Sequence, residues 1–125
     1  DFQQLFLVKN FIEKKYKTKV IGCKTIRNKN RLVLSSRNFL FNKTDLLKIE
    51  NITKSFFILK NIIKKKKNIN TFLKETKINF EKLFKIKIEY LENRNTKNLS
   101  LSNNCRDSKI FLAYYFKGVR LIDNF

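Results

Sequence analysis

Apolar residues fall at helical spacing through residues 2–16, where Phe2, Leu5, Phe6, Val8, Phe11 and Ile12 are followed by Lys14, Lys15 and Lys17. Recurrence at three and four residues predicts an amphipathic helix, and its basic end suits the negative pole of the helix dipole. The pattern then changes to alternation over Lys19–Arg27 and Arg31–Ser36, which predicts two short strands. Asn28-Lys29-Asn30 between them fits a hairpin turn, because Asn tolerates positive φ. The clearest periodicity is Leu46, Ile49, Ile52, Phe56, Leu59 and Ile63, one face of a helix over residues 44–66 with Asn42 or Thr44 as cap. Lys64-Lys65-Lys66-Lys67 closes it. A further helix, opened by Asn70 or Thr71, carries the stripe Phe72, Leu73, Thr76, Phe80, Leu83 and Phe84. Lys85–Tyr90 alternates strictly and predicts a third strand, whereas residues 92–109, rich in Asn, Ser and Arg, predict a loop. Ile110–Phe116 is apolar throughout, too short for periodicity to separate strand from helix, and Lys117-Gly118 can turn the chain into Val119–Ile122. The expected fold is a small α+β single domain, its helices packed on a short mixed sheet. Residues 1–91 form the core in this reading, in the order helix-strand-strand-helix-helix-strand, and residues 92–125 an extension with a short apolar element.

Charge adds a constraint. The 125 residues hold 29 basic and 10 acidic side chains, a formal charge of +19. A soluble domain of this size ordinarily carries a net charge of about 2–8 in magnitude. The surplus repels itself unless a polyanion neutralises it, and RNA suits that role better than DNA or lipid. The chain has no Pro, Trp, His or Met and only 2 Gly, which suggests an extremely AT-rich gene whose bias raises lysine on its own. The absence of Met also suggests a processed chain or part of a longer product. Apolar residues make up 42 %, too many for a disordered basic tail. No apolar run approaches the about 18 residues of a membrane span.

Candidate chemistry is sparse. There is no His to serve as a general base near neutral pH. The acids are scattered singly, Ser35-Ser36 has no base nearby in sequence, and Gly22 and Gly118 are too isolated for a phosphate-cradling loop. Cys23 and Cys105 have neither His nor a CxxC spacing to make a zinc site, and they read as small apolar residues, with a bridge between them left open. The expectation is a chain without catalysis, cofactor or metal. Its candidate sites are basic groups at element ends and turns: Lys14, Lys15, Lys17 and Lys19; Arg27, Lys29, Arg31 and Arg37; Lys64, Lys65, Lys66 and Lys67; and Arg94. Such side chains reach phosphates, and Arg also stacks on unpaired bases. Most of the 13 Phe fit helical stripes, with Phe39 and Phe41 the candidates for base stacking.

Composition, charge and size together resemble ribosomal proteins encoded in AT-rich protist mitochondrial genomes. The element order over residues 2–91 is similar to the KH-type N-terminal domain of small-subunit ribosomal protein three. Phe6-Leu7, the basic hairpin with Arg27 and Arg31, and Arg94-Asn95 after the third strand stand in the matching places. The Gly-rich loop of RNA-gripping KH modules is absent, and Lys64–Lys67 with Asn68 stands between the central helices instead. The resemblance implies a structural constituent of the mitochondrial ribosome, in the matrix, which clamps ribosomal RNA by charge beside neighbouring ribosomal proteins. The alternative is a basic peripheral subunit of a mitochondrial inner-membrane respiratory complex.

Overall fold

A computed structural model describes residues 1–125. The chain is a small α+β single domain of three α-helices and a three-stranded sheet, in the order helix, helix, helix, strand, strand, strand.

Helix α1 spans Phe2–Tyr16, where the sequence places it; the Asp1 carboxylate caps it by accepting from the Gln3 amide at 2.9 Å. Lys17 ends it in the left-handed conformation at φ 51. The two strands expected next do not form. A single bridge, Arg27 to Val33, replaces them. The cause is local: Asn28 Oδ1 accepts the amides of Asn30 and Leu32 at 2.9 and 3.0 Å, closing the turn from within. The segment before the turn finds no strand partner, and Val20 donates its amide to the Glu13 carboxylate instead. Gly22 passes so near α1 that a Cβ there would lie 2.6 Å from a Leu5 methyl.

Helix α2 spans Lys43–Ile62 and is capped by Asn42, whose Oδ1 accepts the Asp45 amide at 2.8 Å. Its predicted face is its buried face: Ile49, Ile52, Phe56 and Leu59. A 3₁₀ turn over Ile63–Lys65 leads to α3, Ile69–Phe84. Neither Asn70 nor Thr71 caps α3. Asn68 takes that place, and Asn70 bonds across to the sheet, its Oδ1 accepting the Asn93 amide at 2.9 Å.

Strand β1 runs Lys87–Asn95, β2 Ser108–Phe116 and β3 Val119–Asn124, in the order β1-β2-β3. The sheet is antiparallel throughout rather than mixed, because both connections are hairpins with no crossover. A bulge at Glu89 interrupts the pairing of β1 with β2. The turn between β2 and β3 is Lys117-Gly118, with φ 48 and 78, the pair of positive values a two-residue hairpin requires. Asn93 pins the loop after β1 by donating to the Ser102 and Asn104 carbonyls.

Central β2 is apolar without alternation because both its faces are covered. Tyr114 meets Phe56 of α2 at 5.9 Å between ring centroids, and Phe116 meets Phe41 at 5.7 Å. On the opposite face Phe111 meets Phe2 of α1 edge-on at 5.8 Å. Five non-glycine residues besides Lys117 also hold positive φ: Lys17, Arg31, Lys85, Leu99 and Asp107.

Burial pushes the Tyr114 hydroxyl far above its ordinary value of 10.0, and the neighbouring Thr53 hydroxyl opposes this more weakly. The unfolded phenol ionises near pH 10 while the folded one stays protonated, so its stabilising contribution is complete below that pH and is lost as pH rises further. Tyr114→Phe is therefore expected to move the alkaline unfolding midpoint upward. Circular dichroism across pH 9–12 checks this, and an unchanged midpoint contradicts it.

Candidate active site

The cleft that gathers the most varied polar groups has a volume of about 230 Å³ and is lined by residues 32–35, Arg37 and Asn38 together with residues of all three strands. The polar groups lining it include Asp1, Gln3, Ser35, Arg37, Asn38 and Tyr90, and its apolar lining includes Phe56 and Tyr114 from one face of the sheet and Phe111 from the other. Ser35 caps a 3₁₀ turn, Ser36–Leu40, and its Oγ accepts the Arg37 amide at 3.3 Å. Asn38 holds the turn in place by donating to the Val33 carbonyl at 2.9 Å. From α1, the Gln3 side-chain Oε1 accepts from the Tyr90 hydroxyl at 3.4 Å.

Arg37 is the cation of this cleft. It is exposed, and its Nη1 donates to the Arg120 carbonyl on β3 at 3.0 Å. That bond fixes the guanidinium while leaving most of its fork for an anion. The carbonyl's own residue is braced: Arg120 donates twice to Glu89, at 2.7 and 3.1 Å. The guanidinium holds the Glu89 carboxyl below its usual range, and Glu89 in turn raises Arg120. The Ser35 hydroxyl, a fixed guanidinium and the Gln3 and Asn38 amides, with apolar residues beside them, can receive a phosphate and orient a small polar substrate.

The other basic residues singled out in the sequence go elsewhere. Lys14 and Lys15 share a shallow cleft with Asn10 and Phe11, and Lys17 and Lys19 are exposed beyond the end of α1. Arg27 is no free cation: it forms a two-pronged pair with Asp123 at 2.6 and 2.7 Å. Its guanidinium lies 4.8 Å from the Phe57 ring centroid, with Arg31 at 5.7 Å from the same ring and Lys29 exposed in the turn. Lys64, Lys65, Lys66 and Lys67 are exposed between α2 and α3, Lys66 lying over the Phe72 ring. Arg94 is held by Glu92 and the Leu99 carbonyl. The fold brings Arg27 and Arg31 together and places Arg37 in the cleft. None of the larger clefts joins these basic groups into one surface. Phe41 packs into the core, while Phe39 is exposed. Asp1, Gln3 and Tyr90 carry no sequence signal as site residues; the run Ser35-Ser36-Arg37-Asn38, polar and directly after Leu34, is the one that points toward the cleft.

Comparison with known proteins places the whole chain in a family. The family model described as pantoate-beta-alanine ligase matches residues 1–125. A pantothenate synthetase of Flavobacterium psychrophilum is 31% identical over 99% of the chain, which spans 45% of that protein. One from Francisella tularensis subsp. mediasiatica is 35% identical over 100% of the chain and 40% of the relative. A pantothenate synthetase structure from Thermus thermophilus superposes over 100% of the chain and 46% of its own, with a TM-score of 0.77 at 21% identity. The Francisella tularensis pantoate-beta-alanine ligase structure, complexed with beta-gamma ATP and beta-alanine, superposes with a TM-score of 0.67 at 32% identity, the chain covering 40% of it. The chain thus spans less than half the length of the relatives it matches.

The match over residues 1–125 overturns the ribosomal resemblance and the respiratory-subunit alternative, together with RNA binding, translation, ribosomal RNA and ribosomal proteins as partners, the mitochondrial location and the expectation of a non-enzyme. The physical reason is that net charge does not specify a partner. The ribosomal likeness rested on composition and on an element order the chain does not adopt. The chain belongs to the pantoate-beta-alanine ligase family.

Proposed function

We propose that this chain supplies part of the active site of an ATP-dependent ligase joining the carboxylate of pantoate to the amine of β-alanine. Carboxylate and ammonium do not condense unaided in neutral water. A carboxylate oxygen bonds to a phosphorus of ATP as a P–O bond of the triphosphate breaks and the remainder of the nucleotide departs; the C–N bond then forms as the C–O bond to the phosphate-bearing group breaks, and the amine loses its proton to solvent. The chain's own contribution is Arg37, directed at nucleotide phosphate, with Ser35 beside it in the cleft to donate to a phosphate oxygen. The observation that carries this reading is the Arg37 guanidinium fixed on the Arg120 carbonyl at 3.0 Å at a polar cleft. The Francisella tularensis ligase, whose structure holds an ATP compound and beta-alanine, gives the substrate classes.

The test is mass-spectrometric detection of pantothenate formed from pantoate, β-alanine and ATP by the complete ligase, whether its other half is fused to this chain or supplied separately. Product that requires all three substrates is expected. Absence of product under conditions where a relative is active refutes the proposal.

A further inference from the structure

We infer that a second cleft, between the start of α1, α2 and the start of β2, binds a small organic phosphate: Lys60 and Lys109 hold the phosphate, and Phe57 and Phe125 receive the apolar part. The cleft has a volume of about 600 Å³. Small-molecule sites ordinarily fall within roughly 300–1,000 Å³. Its cations are Lys24, Arg27, Lys60 and Lys109, and none of these lines the cleft of Arg37. The one acid lining it is Asp1, already engaged as the cap of α1. Cations gathered on one concave surface repel each other, and an anion seated among them relieves that repulsion.

Exposed lysines are plentiful in this chain, and singly they carry little meaning. Lys109 differs from them: it is half-buried, yet it belongs to none of the ion pairs of the fold, and neither do Lys24 and Lys60. Burial, then the charges of Lys60 and Arg27, hold the Lys109 ammonium below its ordinary value of 10.5. Asp123 pulls the other way, but both its oxygens are taken by Arg27, at 2.6 and 2.7 Å. The Lys109 Nζ lies 5.5 Å from the Phe2 ring centroid, so an aromatic face supports it and its donors stay available to phosphate oxygens. A phosphate monoester brings about two negative charges and three acceptor oxygens, which suits three unpaired ammonium groups better than a carboxylate does. The apolar wall is equally defined. Phe57 and Phe125 stack with ring centroids 4.9 Å apart, and Arg27 covers the Phe57 ring from 4.8 Å. This site uses neither Arg37 nor Ser35 and stands apart from the ligase chemistry proposed above.

Isothermal titration calorimetry of phenyl phosphate into the complete ligase tests this, with Arg37→Ala as the background so that the other cleft does not contribute. One phenyl phosphate per chain is expected to bind, roughly tenfold more tightly than inorganic phosphate, because seating the ring removes apolar area from water. Adding Lys60→Gln/Lys109→Gln is expected to weaken that binding roughly hundredfold, about tenfold for each charged hydrogen bond lost. If the double replacement fails to fold, Lys60→Gln alone, at an exposed position of α2, carries the comparison with a loss of about tenfold. Three results overturn the inference: no binding of millimolar phenyl phosphate with both lysines present, binding that the lysine replacements leave unchanged, or equal affinity for phenyl phosphate and inorganic phosphate.

Discussion

Replacing Arg37 by alanine in the complete ligase is expected to lower kcat/KM for ATP by roughly 10²–10³-fold, the usual cost of removing one fixed donor aimed at developing charge. The structure separates this effect from folding. Arg37 is exposed, and the 3₁₀ turn beneath it is held by Ser35 and Asn38 through bonds to backbone groups. Thermal unfolding should therefore be nearly unchanged. Arg37→Lys keeps the charge but loses the planar fork, so recovery should be partial. A variant with full activity would remove Arg37 from the reaction and leave the cleft without its anion partner.

The largest effect on stability is expected at Asp123. It accepts both prongs of Arg27 with side-chain exposures of 9% and 16% for acid and base, and Arg27 also donates to the Asn124 and Arg31 carbonyls. Asp123→Ala leaves a half-buried guanidinium without its counterion, and removal of one partner of a buried pair costs about 3–5 kcal/mol. Arg27→Ala/Asp123→Ala should cost less than the sum of the single changes, because the uncompensated charge leaves with its partner. Denaturant unfolding of the three variants decides the matter. A cost below about 1 kcal/mol for Asp123→Ala would show that solvent reaches Arg27 and compensates it, as at exposed pairs.

The sequence and the fold agree where packing alone decides. Ile49, Ile52, Phe56 and Leu59 announce the buried face of α2, and Lys117-Gly118 announces the hairpin turn. They part where a side chain competes with the backbone. Alternation over residues 19–36 is as good as that of β1, yet Asn28 closes the turn through its own amide, and no second strand is available for residues 19–25. The site is hidden for a different reason. Arg37 is legible as a cation, but what fixes it at the cleft is the Arg120 carbonyl, 83 residues further along the chain. Ser35-Ser36 lacks a neighbouring base, but phosphate binding needs a donor and a cation rather than a base. The lack of His and of paired acids argues against an enzyme only where one chain holds a whole site, whereas the relatives of this one spread over more than twice its length.

The residues held at positive φ carry a consequence for how this molecule can evolve. Lys17, Arg31, Lys85, Leu99, Asp107 and Lys117 occupy backbone positions that glycine would take at no steric cost, in a chain that has only 2 glycines. Each L-residue there forgoes about 1 kcal/mol. Six of them together approach the whole margin by which a small domain stays folded, about 5–15 kcal/mol. Half of these bends are turned by lysine, at Lys17, Lys85 and Lys117, and a chain that carries such a cost has less reserve with which to absorb further destabilising substitutions.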